Sequence, residues 1–273
     1  LADQTRDSVR TKAMALVGIS IGLMFALALV AAPLLAAQFG LAGLFWLTFG
    51  LTVAGIATVL WVVPPEQPRS THGQPGRLAD VLRNADLMRV NFGVFVLHTV
   101  QMAMWVAVPA MLVQAGLLKE AHWQAYLPAL VLSIIAMGGL LAMERRGRLR
   151  AAMLLSIGLI LLVQVGLGVV ALGGGMPSLW GLGALLFVFF CGFNMLEATQ
   201  PSLVSRMAPG SLRGAALGAY NTLQSLGLFA GGALGGALAK WAGAPGLFAA
   251  TALLAALWLA LTWPLRPVAK AGS

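Results

Sequence analysis

In the apolar run GFNMLEATQPSL, residues 192–203, a carboxylate stands between two amides: Glu197, with Asn194 three residues before it and Gln200 three after. A charge at the centre of a membrane helix costs roughly 2.5–3.5 kcal/mol even on lenient insertion scales, so such a residue serves either transport chemistry or an ion pair. A second polar series lies on one helical stripe. Asn91, His98, Trp105 and Pro109 recur at steps of seven, seven and four, within about 40° of one another, with Gln101 to one side. Polar stripes in apolar helices face a water-filled cavity or a partner helix, and His98 can change charge near neutral pH. Tyr220, Asn221, Gln224 and Ser225 form a third patch. The expected substrate-cavity residues are Asn91, His98, Gln101, Trp105, Asn194, Tyr220, Asn221 and Gln224. The alternative for each is hydrogen bonding between helices.

The elements that position these residues follow from composition. Of 273 residues, 60% are hydrophobic and only 9% are charged, against about 25% charged in ordinary soluble domains. The chain is therefore an all-α, polytopic membrane protein with the lipid bilayer as its first partner. Runs of about 20 apolar residues, the length that crosses a hydrocarbon core of about 30 Å, predict eight spans: 13–37, 42–63, 90–115, 123–143, 150–172, 179–204, 214–239 and 246–264. Turn-rich breaks such as GLAG, PPEQP, GGGMPS and AGAPG separate them. The longest break divides two spans (residues 1–63) from six (90–273). Between them, residues 64–89 begin as a Pro/Gly-rich linker and end in RLADVLRNADLMR, which reads as a short amphipathic helix on the membrane surface.

With the N-terminus in the cytoplasm, fifteen of the seventeen Lys and Arg residues fall on the inner side, leaving Lys119 and Lys240 outside. The positive-inside rule thus sets both chain ends in the cytoplasm, and the net charge of +9 reports topology rather than nucleic-acid binding. The single cysteine, Cys191, excludes a disulfide framework. Without a P-loop, HExxH or G-x-S-x-G, and with histidines scattered at 72, 98 and 122, no enzyme, metal or cofactor is expected. No signal peptide opens the chain, which begins at Leu1, and more protein is expected upstream.

Two span entries look alike: DSVRTKAM at 7–14 and GSLRGAAL at 210–217. Repeated halves are how many transporters are built. The segment TRDSVRTKAMALVGISIGLMFALALVAAPLL resembles the fifth helix of major facilitator superfamily transporters, most closely the YajR-type branch of drug/proton antiporters. NMLEATQPSLVSRMAPGSLRGAALGAYNTLQSLGLFAGGALGG resembles that branch's tenth and eleventh helices. GGLLAMERRGRLR, residues 138–150, is similar to the family's loop signature G-x-L-a-D-R-x-G-R, with Met143 as an extra residue and Glu144 in place of Asp. Ala32-Pro33 stands where the antiporters carry Gly-Pro. The resemblance implies helices five to twelve of a twelve-helix fold, with the missing N-terminal helices needed for a complete pathway.

It also implies that acid and arginine clusters at the cytoplasmic helix ends act as a gate latch. Glu197, nine residues before Arg206 and so about 13 Å deeper, is read mainly as such a latch and secondarily as a protonatable site. The gating candidates are Glu197, Glu144, Arg10, Arg145, Arg146, Arg148, Arg206 and Arg213. Small residues four apart, Gly18 over Gly22, Gly231 over Gly235 and Gly232 over Gly236, are expected to pack helices closely in lipid. The expected function is an inner-membrane secondary transporter. It would export a drug-like or small organic solute in exchange for protons by alternating access. The alternative is a non-transporting remnant or a partner-binding helical bundle.

Overall fold

The computed structural model describes residues 7–64 and 77–265. It divides at Gln74/Pro75 into two units. Every regular element among the described residues is helical. The first unit contains α1 (Asp7–Trp61), whose 55 residues are broken by non-helical backbone at Gly40. Its hydroxyls at Thr48, Thr52 and Thr58 each donate to the carbonyl four residues back, so none is left unsatisfied on an apolar helix.

The second unit holds α2 (Leu78–Arg83), α3 (Ala85–Gln114), α4 (Trp123–Arg145), α5 (Leu149–Leu172), α6 (Leu179–Met207) and α7 (Arg213–Thr262). Asn84 caps α3 by accepting from the backbone N–H groups of Asp86 and Leu87. α2 is more than a surface helix. Its Val81 is fully buried against Leu87, Leu203 and Leu212, while Leu78 and Leu82 stay exposed.

Six stretches among the described residues are long and apolar enough to cross a membrane. Two of them are too long for one crossing. A 50-residue α7 would extend about 75 Å at about 1.5 Å per residue, more than twice the hydrocarbon core. It folds back at Gly243, where φ is 65° and ψ −175°; α1 breaks at Gly40 with φ 65° and ψ −176°. That left-handed region favours glycine. In both turns a second glycine follows three residues later, and a Cβ there would overlap that of Phe39 (at Gly43) or Ala242 (at Gly246). The two turns are 203 residues apart, the same offset as the paired entries at 7 and 210, so the internal echo extends through a whole span without insertion. Dividing α1 and α7 at these glycines yields eight spans.

Side-chain register shows how the six spans of the second unit run. The first arm of α7 follows α3 in parallel, Gly227 lying on Phe95, Gly231 on Thr99 and Gly235 on Ala103. The second arm returns antiparallel, placing Thr251 on Gln164 of α5 and Trp258 on Gly93 of α3. α6 opposes α5 (Gly192 on Ser156, Gly166 on Leu185). This alternation collects Arg89, Arg148, Arg150, Arg206 and Arg213 at one end of the bundle. There Arg150 stacks over the Trp263 ring at 5.9 Å and donates to its carbonyl, and Arg213 donates to the Ser205 carbonyl.

The glycine expectation needs correcting in part. Gly227, Gly231 and Gly235 form the stripe against α3, whereas a Cβ at Gly232 or Gly236 would meet nothing within 4 Å. Spacing of four permits both stripes, and only the neighbouring helix selects one. Arg10, Gly18, Gly22, Glu144 and Arg145 lie on described helices, but their side chains fall outside the described residues.

Candidate functional site

His98 sits near the middle of the 30-residue α3, about 20 Å from its first residue at about 1.5 Å per residue. Its Nδ1 lies 2.9 Å from the Val94 carbonyl oxygen. A carbonyl only accepts, so Nδ1 carries the hydrogen, and Nε2 of the neutral ring is left with its lone pair. Two groups from other helices meet at that nitrogen. The Gln224 side-chain nitrogen, from α7, is 2.9 Å away, and Glu197 Oε1, from α6, is 3.3 Å away. Phe193 closes the ring from the side in an edge-on contact, its centroid 5.8 Å distant, and stacks on Phe189 at 5.5 Å.

Each helix reaches this point for a local reason. Gly227, one turn beyond Gln224, leaves room for α7 to lie against Phe95 and His98; a Cβ there would come within 3.2 Å of the His98 Cβ. Pro201 lies four residues after Glu197 in α6, so the Glu197 carbonyl lacks its usual helical N–H partner. Glu197 Oε1 is buried and without a hydrogen-bond partner, although the side chain as a whole is 34% exposed.

This geometry revises the expected role of Glu197. Among the described side chains, the titratable group at its carboxylate is His98, at mid-depth of the bundle. Arg146, Arg148 and Arg206 are exposed at the arginine-bearing end. Among the other cavity candidates, Asn91 is fully buried and Tyr220 is 3% exposed, so neither lines an open wall. Asn194 donates to the Ser133 hydroxyl of α4 at 2.9 Å and joins two helices. Trp105 packs on Tyr126, with ring centroids 4.7 Å apart, and on Phe190 at 6.4 Å. Gln101 and Gln224 are half-buried, and Asn221 is exposed. Of the candidates, Gln101, Asn221 and Gln224 thus keep exposed surface, and Gln224 and the half-buried Phe193 are the ones that touch the His98 ring. A cleft of about 660 Å³ between Val106, Met111, Gln114, Val170 and Pro177 lies beyond the chemistry, towards the far end of α3.

One buried network had no counterpart in the sequence reading. Gln164 of α5, fully buried, accepts from the Thr251 hydroxyl at 2.9 Å, and its amide nitrogen lies 4.0 Å from the Met104 sulfur. A lone amide in the apolar stretch LILLVQVGLG was the available signal. In Gln164→Leu the Thr251 hydroxyl keeps the Leu247 and Phe248 carbonyls as acceptors, so the loss of this one bond is expected to destabilise the bundle by about 0.5–1.5 kcal/mol. Adding Thr251→Val should recover part of that loss in a double-mutant cycle followed by thermal melting. Additive losses would show that the two side chains are energetically independent. Among the described residues no cluster of three or more His, Cys, Asp or Glu side chains could hold a metal.

Comparison with known proteins accords with this architecture. The family model described as Major Facilitator Superfamily matches residues 1–232. The inner membrane transport protein YajR of Escherichia coli (strain K12) is 35% identical over 267 residues, covering 95% of this chain and 57% of that protein. An uncharacterized transporter of Buchnera aphidicola (subsp. Acyrthosiphon pisum, strain APS) is 27% identical over 238 residues, 85% of this chain and 60% of its own length. The uncharacterized MFS-type transporter YhhS of Escherichia coli (strain K12) is 33% identical over 124 residues, 45% of this chain and 29% of that one. The chain thus spans a little under two thirds of the first two relatives. By the match over most of its length, the chain belongs to the Major Facilitator Superfamily.

Proposed function

We propose that the full-length protein is a secondary transporter of the inner membrane that exports a small organic solute in exchange for protons, with His98 and Glu197 together as its proton site. One observation carries this reading: two acceptors, the Nε2 lone pair and a carboxylate oxygen, face each other at 3.3 Å in the middle of a membrane bundle. Two acceptors repel unless a proton lies between them. With one proton the pair is a neutral imidazole beside a carboxylic acid, or an imidazolium beside a carboxylate; either way the site is neutral overall. Without it, a carboxylate remains at a depth where charge is expensive. Gln224 donates to Nε2 in the unprotonated state and can present its carbonyl oxygen when Nε2 carries a hydrogen.

The partial exposure of Glu197, beside a His98 ring that Gln224 and Phe193 also touch, supports solute binding in the same place. A proton and a solute would then compete for the carboxylate as the two bundles of the complete protein rock about it. The gathering of arginines at one end supports a cytoplasmic placement of that end.

Interacting groups titrate in coupled macroscopic steps that belong to the pair. Infrared titration of the purified full-length protein should therefore show a glutamic acid carbonyl band changing in two steps, and a single step in His98→Ala. The same two-step titration in His98→Ala would overturn the assignment of the pair.

A further inference from the structure

From the His98–Glu197–Gln224 site towards the arginine-bearing end, the same three helices carry a second set of buried polar residues, stepped in depth. Asn91 is seven residues before His98, Gln200 three after Glu197 and Tyr220 four before Gln224. α3 and the first arm of α7 start at the arginine-bearing end, and α6 finishes there, so all three offsets point the same way. Asn91 and Gln200 are fully buried and Tyr220 nearly so. Tyr220 belongs to an apolar cluster with Leu87, Val90, Val94, Leu203, Val204, Ala216 and Met153.

The set is only partly satisfied. The Tyr220 hydroxyl donates to Gln200 Oε1 at 3.5 Å, the outer limit of a hydrogen bond. Gln200 Nε2 has no partner, nor has Asn91 Oδ1, and the Asn91 amide nitrogen has only the Met88 sulfur at 3.9 Å. A purely structural set at this depth would be expected to be apolar or fully paired, since each orphaned group costs about 1–3 kcal/mol. Gly93 lets the set reach the α3 backbone: a Cβ there would come within 3.1 Å of Gln200 Nε2 and 2.7 Å of Trp258 Nε1.

We infer that Asn91, Gln200 and Tyr220 form the proton route between the His98–Glu197 pair and the arginine-bearing end of the bundle. The inference rests on the proton-site reading above. An unpaired acceptor and an unpaired donor are what a bridging water requires. The two amides do not titrate; they orient water. The proton leaving Glu197 Oε1 passes to a first water, which gives a proton to the Tyr220 oxygen as the Tyr220 hydroxyl turns and gives its own to a second water held by Asn91 Oδ1; that water carries it on. Tyr220 ends unchanged, Glu197 ends as a carboxylate, and one proton emerges at the arginine-bearing end. Among the described residues the titratable and charged groups along this path are His98 and Glu197 above it and Asp86, Arg89 and Arg150 at the arginine-bearing end; α5 also contributes Met153 and the second arm of α7 Trp258, neither of which titrates.

The test uses full-length protein in an oriented supported bilayer, with pH stepped on one face at a time and the Glu197 carboxyl band followed in the infrared. Tyr220→Phe and Asn91→Leu are each expected to slow the response to a step on the arginine-bearing face at least tenfold. The response to a step on the opposite face should keep its wild-type rate. Wild-type rates on both faces, or equal slowing on both, overturn the route; the second outcome would mean a packing role. If no carboxyl band disappears in Glu197→Gln, it is the proton site itself that fails. Should one variant not fold, the other decides alone.

Discussion

In the proposed transporter, Glu197→Gln is expected to lower gradient-driven efflux by roughly 10²-fold or more, the lower range of what removing a positioned proton-transfer group costs, with the protein reaching the membrane at near wild-type levels. The amide keeps the shape of the side chain and can donate an N–H to the Nε2 lone pair of His98, so packing around Phe193 is preserved. What it cannot do is release a proton. Solute exchange without net proton movement should therefore persist in Glu197→Gln, and only transport against a gradient should be lost. The measurement compares counterflow with pH-driven efflux in proteoliposomes, using a solute found by growth protection of overexpressing cells. Undiminished pH-driven efflux would remove Glu197 from the coupling mechanism. Loss of both modes would assign it to solute binding alone.

That prediction differs from the one the sequence suggests, and the difference has a physical source. Glu197, His98 and Gln224 each stand out as polar residues in apolar runs, and each is legible without coordinates. Their convergence is not. They lie 99 and 126 residues from His98, and nothing in helical periodicity states which stripe faces which. Charge complementarity then favours arginine as the partner of Glu197, because arginines crowd the same membrane side. Depth decides otherwise: a residue two to three turns inside α6 lies level with the centre of α3. The span boundaries were legible because apolar runs of crossing length are interrupted by glycine and proline. Even the fold-back at Gly243 can be read from AGAPG. The Gln164–Thr251 bond and the Asn91–Gln200–Tyr220 set needed the register of several helices at once, which only packing supplies.

Packing also makes the sharpest distinction in the molecule, between glycines one position apart. Gly231→Leu is expected to destabilise the second unit, because even the first carbon of a side chain would fall on the Thr99 carbonyl and within 2.7 Å of the Met102 Cβ. The backbone there cannot yield without parting α3 from α7. Overpacking of this kind costs typically about 1–3 kcal/mol, which at this chain size is about 2–4 °C of thermal midpoint per kcal/mol. Gly232→Ala and Gly236→Ala should do the reverse. Nothing lies within 4 Å of either Cβ position, and alanine improves on glycine in a helix by as much as about 1 kcal/mol. Their melting points should hold or rise. Gly227→Ala adds a functional consequence, since a Cβ there presses on Phe95 and His98. Moving α7 away would lengthen the bond from Gln224 to His98 and weaken proton coupling along with stability. Melting curves of these variants decide the matter: a loss shared equally by Gly231→Leu and Gly232→Ala would mean that the α3–α7 stripe is drawn on the wrong face of the helix.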